Sequence, residues 1–349
     1  MLVDDSLVIR SILEAILNQD DTIEVVASLA SAGEALVHLD TQAIDVIVLD
    51  IEMPGMNGIA ALPELIRKSA GARVLILSSN CEEGGPAALE ALSLGAAETL
   101  AKPVKGSFRG QFGKMLVDRI VQLARSNDTD IIAVDRSASP RSSANRPTIS
   151  HRPSQAPRCI LIGSSTGGIT ALNTILKGLA DNVAAPILLT QHLPAAFIPF
   201  FARQLGSVTS RTVEVADDGM ILRDSHLYVA PGDAHLTVTQ SSKGDARIVL
   251  STAPAQSGCR PSADPMFASA AEVFGAGALA IVLSGMGHDG THGARCIRLG
   301  GGAVVAQSHE TCVVWGMPGS IVNSGLASAV LDPCDASAYI NRAAHRVAR

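Results

Sequence analysis

Two blocks of short β-branched runs, each alternating with stretches whose apolar residues recur three and four apart, flank a segment that has neither pattern. This alternation constrains the fold most, because strand, crossover helix and strand in succession build a parallel sheet covered by helices on both faces. In the first block "IEVVASLA", "DVIVLD", "RVLILSS" and "AETLAK" read as strands, and Ile9, Ile12, Leu13, Ile16 and Leu17 give the first helix one apolar stripe. In the second, "RCILIG", "APILLTQH", "ALAIVLSG" and "GGAVVAQ" read as buried strands with Gly-rich turns at their carboxyl ends. Between them, residues 126–157 shift to Ser, Pro, Arg and Asn, the composition of a linker. The expected division is a domain at 1–125, a linker at 126–157 and a second α/β domain at 158–349.

Composition removes several function classes. Hydrophobic residues make up 47% of the chain and charged ones 17%, a globular balance. No apolar run reaches the roughly 18 residues of a membrane span, and "MLVDDS" has no signal-peptide pattern. Membrane insertion and export are therefore not expected, and the expected location is cytoplasmic. Residues 1–126 carry 10 basic and 17 acidic side chains, whereas residues 158–349 carry 13 of each. Neither part has the basic stripe that would offset nucleic-acid phosphates, so no nucleic-acid partner is expected. The six cysteines are scattered with no C-x-x-C pair and read as buried or incidental thiols.

In open parallel sheets functional groups collect at the carboxyl ends of strands. In the first block those ends carry Asp4 and Asp5, Asp50, Ser78 and Ser79, and Lys102. Three converging carboxylates repel one another unless a cation lies between them, and an all-oxygen set favours Mg²⁺. Asp50 could then accept a phosphoryl group, with Lys102 and a serine hydroxyl steadying the transferred oxygens.

The second block opens with "CILIGSSTGGITAL", a buried strand that breaks into a turn and resumes as an amphipathic helix through Ile169, Leu172, Ile175, Leu176 and Leu179. Such a turn aims backbone N–H groups and the positive end of the helix dipole at one spot. It lacks the lysine of a phosphate-binding loop, which leaves two readings: a nucleophile at Ser164 or Ser165, or hydroxyls that only help the turn. A nucleophile needs a base and a group to orient it. His192 in "LLTQHLP" and Asp289 in "IVLSGMGHDGTHG" lie at two further strand ends on the same edge, completing Ser, His and Asp in chain order.

The set "VDDS", "LDIEMPGMNG", "LSS" and "AKPV" resembles the response-regulator receiver domain, of flavodoxin-like fold with a parallel five-stranded sheet. With "IGSSTGG", "QHLP", "LYVAPGDAHL", "RPSADPMF", "LSGMGHDGTHG" and "AQSHETCVVWGMP", the whole resembles the chemotaxis protein-glutamate methylesterases: a receiver joined to a doubly wound α/β methylesterase domain. The resemblance implies that Asp50 is the phospho-acceptor, that Asp4 and Asp5 hold Mg²⁺ with it, that Ser78 is the switch hydroxyl and that Lys102 contacts the phosphoryl group. A cis bond before Pro103 is also usual in relatives. The serine before "TGG", Ser165, becomes the nucleophile, His192 the general base and Asp289 its orienting carboxylate; Thr166 and Met286 are the candidates for oxyanion stabilisation.

The implied reaction removes methyl groups from γ-glutamyl methyl esters on the cytoplasmic helices of chemoreceptors, with deamidation of glutamines there, and uses no cofactor for hydrolysis. A histidine kinase would supply the phosphoryl group, and phosphorylation would relieve a receiver lying over the cleft. The alternative is a response regulator with a non-catalytic or DNA-binding output domain. Four departures from the family pattern stand out: only Met1, Leu2 and Val3 precede Asp4; Ser164 replaces a usual alanine; His288 a usual asparagine; and Cys259 a usual histidine. His288 is expected to act on the pH dependence, and Arg260 and Asp264 of "RPSAD" could be a cleft pair or a structural one.

Overall fold

The computed structural model describes residues 1–78, 85–103, 108, 110–125, 148–149, 155–242 and 244–345. The chain forms two compact units, Met1–Arg146 and Pro147–Arg349. Ser79, Val104 and most of the expected linker lie outside the described residues.

In the first unit, β1 (Leu2–Val3), β2 (Ser28–Leu29), β3 (Val46–Asp50), β4 (Arg73–Ser78) and β5 (Glu98–Ala101) alternate with α1 (Leu7–Leu17), α2 (Ala32–His38), α3 (Gly58–Lys68), α4 (Gly85–Ser93) and α5 (Gln111–Arg125). The strands make one sheet in the order β2-β1-β3-β4-β5, parallel throughout. β3 and the Val74–Ser78 stretch of β4 are buried, as the continuous apolar runs require of strands covered on both faces. Short as it is, β1 pairs with β2 on one side and β3 on the other, so Asp4 still leaves the sheet at the edge where Asp50 ends β3. The expected strand over 23–30 is cut to Ser28–Leu29 because its one neighbour, β1, offers two residues to pair with.

In the second unit the order is β6 (Thr148–Ile149), β7 (Cys159–Ser164), α6 (Gly168–Gly178), β8 (Ile187–Gln191), α7 (Ile198–Gly206), β9 (Thr212–Val215), β10 (His226–Val229), β11 (His235–Gln240), β12 (Ala246–Ser251), α8 (Ala263–Phe274), β13 (Ala278–Val282), α9 (Thr291–Leu299), β14 (Ala303–Gln307), α10 (Met317–Asn323), β15 (Ala329–Leu331) and α11 (Pro333–Ala344). Eight strands form a sheet ordered β6-β15-β14-β13-β7-β8-β10-β9, in which β6 runs antiparallel to β15 and every other pair is parallel. Thr148–Ile149, expected in the linker, thus belongs to the edge of this sheet. β11 and β12 form a separate antiparallel pair that sequence reading missed. Leu161, Leu188, Met266, Phe267, Met317 and Ile321 belong to one buried cluster that holds α8 and α10 against the central strands.

Because β7 is flanked by β13 and β8, the loops after these three strands emerge side by side. Among the described residues no helix is long and apolar enough to cross a membrane. The cis peptide bond found among them precedes Pro261, not Pro103 as the resemblance implied.

Candidate functional site

Ser165 follows β7 directly and is fixed from both sides. Its N–H donates to Ser284 O (3.1 Å) beyond β13, and its carbonyl accepts from Gln191 Nε2 (3.1 Å) at the end of β8. The turn after it depends on Gly167, whose φ of +74° is unfavourable for any residue with a Cβ and whose Cβ, if present, would lie 2.1 Å from Val313 Cβ. Gly285 has a comparable role opposite: a Cβ there would sit 2.8 Å from Ser165 Cβ and 2.4 Å from Met317 Sδ. α6 is preceded by Gly167 as an N-cap that offers no side-chain hydrogen bond, so its first turn keeps its positive end toward the serine loop.

His192 arrives from the neighbouring strand, its N–H bonded to Ser164 O (3.0 Å). Its Nε2 meets Asp289 Oδ2 at 2.7 Å, the carboxylate being 1% exposed and the imidazole 15%. Asp289 accepts two further hydrogen bonds, from Ser262 Oγ (2.5 Å) and Ala263 N (2.7 Å). Burial alone would raise its pKa, but these donors and the adjacent imidazole hold it well below the ordinary carboxylate range. Burial lowers the pKa of His192, yet hydrogen bonds to Asp289 and Cys259, with their charge, outweigh it and lift the imidazole to about 9. An ionised Asp289 makes Nε2 the donor, which leaves Nδ1 as the nitrogen able to accept a proton. Among the described residues' hydrogen bonds, none joins Ser165 Oγ to His192 in this resting arrangement.

Thr166 is buried in the serine turn and its carbonyl accepts from Ser284 Oγ (2.8 Å); Met286 is half-buried in the loop between β13 and Asp289. Thr166 follows Ser165 directly, and Met286 follows Gly285, whose Cβ position lies 2.8 Å from Ser165 Cβ. His288 is exposed and is not among the groups that shift His192, so the expected influence on pH dependence passes to Cys259. Arg260 is exposed, whereas Asp264 is buried and accepts from Gly293 N (2.8 Å) of α9. Asp264 thus ties α8 to α9, and no ion pair joins it to Arg260 among the described residues.

Two residues that sequence reasoning missed complete the support. Ser262 caps α8 through Asp264 N (3.2 Å) while gripping Asp289, and its own N–H donates to Nδ1 of the buried His235 (2.9 Å). His235 in turn reaches Ala253 O (2.9 Å) through Nε2. The available signal was Ser262 standing as an N-cap before the apolar run of α8. Ser164 is a different case: fully buried, its Oγ has no hydrogen-bond partner. Ser164→Ala is therefore expected to stabilise the protein by about 1 kcal/mol, the cost of a buried unpaired hydroxyl, read as a raised urea midpoint with unchanged slope.

The first unit has its own constellation. Asp4 and Asp50 are buried, Asp5 is exposed, and ligand oxygens of all three lie within 4.8 Å of one another. Lys102 Nζ bridges Asp4 Oδ2 (2.9 Å) and Asp50 Oδ2 (2.7 Å). Burial raises the pKa of Asp50 against the opposing pull of Lys102; burial lowers that of Lys102, but its bonds to Asp50 and Asp4 raise it overall. Ser78 is buried at the end of β4, beside Lys102, whose N–H donates to Ser78 O (2.7 Å). Three carboxylates and one cation leave net negative charge in an all-oxygen pocket, which fits a hard divalent ion such as Mg²⁺.

Comparison with known proteins supplies the rest. Residues 160–340 match the family model described as CheB methylesterase, and residues 1–107 match the response regulator receiver domain. Protein-glutamate methylesterase/protein-glutamine glutaminase 1 of Rhodospirillum rubrum is 39% identical, covering 99% of this chain and 95% of its own length. The corresponding protein 2 of Caulobacter vibrioides is 38% identical, covering 100% and 99%. Among solved structures, the CheB methylesterase catalytic domain of Thermotoga maritima has a TM-score of 0.52 at 36% identity, covering 54% of this chain and 98% of that one.

Proposed function

The chain belongs to the CheB methylesterase family, with a receiver domain ahead of the esterase, and on that premise we propose that Ser165, His192 and Asp289 are its catalytic residues and Asp50 its phospho-acceptor. It is a protein-glutamate methylesterase and protein-glutamine glutaminase regulated by phosphorylation in chemotactic adaptation. The observation carrying the catalytic assignment is the 2.7 Å bond between His192 Nε2 and Asp289 beside the strand end that bears Ser165. The receiver spans 1–125 and the catalytic domain 158–349, joined at its sheet edge by the Thr148–Ile149 strand; the rest of 126–157 is the linker.

In the reaction, Nδ1 of His192 takes the proton of Ser165 as Oγ attacks the γ-carbonyl of a methylated glutamate on a chemoreceptor helix. The oxyanion is met by main-chain donors around Thr166 and Met286 and by the positive end of α6. His192 returns the proton to the departing methanol, or to ammonia when the substrate is glutamine. It then deprotonates a water, which opens the acyl-enzyme to glutamate and restores Ser165.

In the receiver, Asp4, Asp5 and Asp50 would hold Mg²⁺, which supplies charge neutralisation for phosphoryl transfer. Asp50 presents a carboxylate oxygen to the phosphorus, Oδ1 being held by the Glu52 N–H (3.3 Å) and Oδ2 by Lys102; Lys102 follows the charge onto the transferred oxygens, and the Ser78 hydroxyl reports their arrival. A histidine kinase of the chemosensory pathway is the donor. The test is methanol release from methylated receptor fragments by the full chain, with and without a small phosphoryl donor and Mg²⁺. The donor is expected to raise the wild-type rate and leave Asp50→Asn at its resting rate; no release in either state would overturn the activity, and stimulation of Asp50→Asn would overturn the acceptor.

A further inference from the structure

Asp289 is held on both of its oxygens, and the second hold involves residues that the reaction above does not use. Oδ2 takes His192 Nε2 (2.7 Å) and Ala263 N (2.7 Å), whereas Oδ1 takes its hydrogen bond, among the described residues, from Ser262 Oγ alone (2.5 Å). A serine hydroxyl has one proton and two lone pairs. In Ser262 both lone pairs meet donors, Ser257 Oγ (3.2 Å) and Asp264 N (3.2 Å), so the proton is left to the carboxylate. The main chain of Ser262 is fixed as well: its N–H donates to Nδ1 of His235 (2.9 Å) at the start of β11, and His235 Nε2 donates to Ala253 O (2.9 Å) beyond β12. A ring that accepts at Nδ1 and donates at Nε2 is neutral and in a single tautomer. Ser262, His235 and Asp289 are all buried, so water does not replace a lost partner here.

We propose that Ser262 is a positioning residue for the Asp289 carboxylate and that His235 in turn positions Ser262, which ties the β11–β12 pair to the esterase centre. This rests on Asp289 orienting His192 as the base for Ser165. A carboxylate held through Oδ2 alone can turn about its Cβ–Cγ bond and carry the imidazole with it. A donor on Oδ1 fixes the carboxylate plane, and with it the direction of Nε2 and of the Nδ1 that Ser165 needs. The line of bonds runs from Ala253 O through His235, Ser262 and Asp289 to His192. Its far end lies on a hairpin that puts no group into the reaction. Ser262 also caps α8 through Asp264 N, a purely structural task. The two tasks separate by substitution, because glycine is an N-cap only a little poorer than serine but has no hydroxyl.

The experiment uses the full chain. Methanol release from methylated receptor fragments gives kcat and KM for wild type, Ser165→Ala, Ser262→Gly, Asp289→Asn, the Ser262→Gly/Asp289→Asn double variant, His235→Leu and His235→Asn. In protein labelled with ¹⁵N-histidine, NMR follows the His192 Nε2 proton. Ser262→Gly is expected to lower kcat by about tenfold to a hundredfold with KM unchanged, the scale of a misplaced catalytic group, and to shift and broaden the Nε2 proton. On the Asp289→Asn background it should lower kcat no further, because both changes act on one side chain. His235→Leu leaves the Ser262 N–H without its acceptor and should lower kcat about tenfold; His235→Asn, whose Oδ1 stands in for Nδ1, should rescue most of that loss. A wild-type kcat in Ser262→Gly, a change confined to KM, or a full additional loss on the Asp289→Asn background overturns the proposal. A wild type no faster than Ser165→Ala would instead overturn the catalytic reading. The Nε2 proton then decides the positioning role by itself: a shift in Ser262→Gly sustains it and an unchanged resonance overturns it.

Discussion

Ser165→Ala is expected to lower kcat for ester hydrolysis by about 10⁶-fold and Asp289→Asn by about 10⁴-fold, both in folded protein. The two losses differ in kind. Removing Oγ deletes the bond-forming atom and leaves only the binding and oxyanion groups, as the scale of serine-hydrolase deletions indicates. Asn at 289 retains the size of the side chain but places an amide where three donors converge, from His192, Ser262 and Ala263. An amide oxygen can satisfy some of these and its NH₂ group none, so the imidazole turns or takes the wrong tautomer. Single-turnover methanol release with substrate KM measured alongside separates the cases, since both variants should bind substrate as wild type does. A fall in Asp289→Asn confined to KM would show that Asp289 shapes the substrate cleft instead of the base.

The pH–rate profile carries the second large effect. With His192 lifted to about 9 by Asp289 and Cys259 against its burial, the resting enzyme holds an imidazolium at neutral pH, and an imidazolium cannot take a proton from Ser165. Below the midpoint kcat/KM should rise tenfold per pH unit, about a thousandfold between pH 6 and 9, and then level off. Stability moves in the opposite direction. A histidine whose folded pKa exceeds its ordinary value contributes stability that is complete below about 6.5 and is lost as pH rises through about 9. That loss should be on the order of 2 kcal/mol in urea unfolding between pH 6.5 and 9.5. The Asp289 carboxylate, held low, adds a contribution that persists above the ordinary carboxylate range and fades only in acid. Cys259→Ala should shift the kinetic midpoint downward; a profile flat from pH 6 to 9 would contradict the proposed role of His192.

The catalytic trio was legible because a parallel sheet delivers successive strand ends to one edge, so Ser165, His192 and Asp289 needed only correct strands to be placed together. Ser262 and His235 were not, because what they do depends on hydrogen bonds between distant segments, 27 residues apart for both Ser262–Asp289 and Ser262–His235. No local periodicity encodes such contacts. The pair β11 and β12 had a readable signal, two alternating runs around a turn containing Gly244, but a search tuned to buried parallel strands passes over a half-exposed hairpin. The opposite error occurred at residues 23–30, where β propensity is high but the edge position supplies too little ladder for more than two residues.

The strand order also sets a timetable for synthesis. β7, which carries the serine loop, is completed by pairing with β8 soon after it leaves the ribosome, but its other neighbour is β13, encoded far downstream. Until Ala278–Val282 emerge, the nascent chain keeps β7 as an open edge, apolar and ready to pair with any extended peptide. Asp289, which gives His192 its orientation, appears later still. A ribosome that stalls before this point releases a fragment with an intact serine and histidine, no ordered base and a sticky strand: inert as a hydrolase and a substrate for chaperones and proteases.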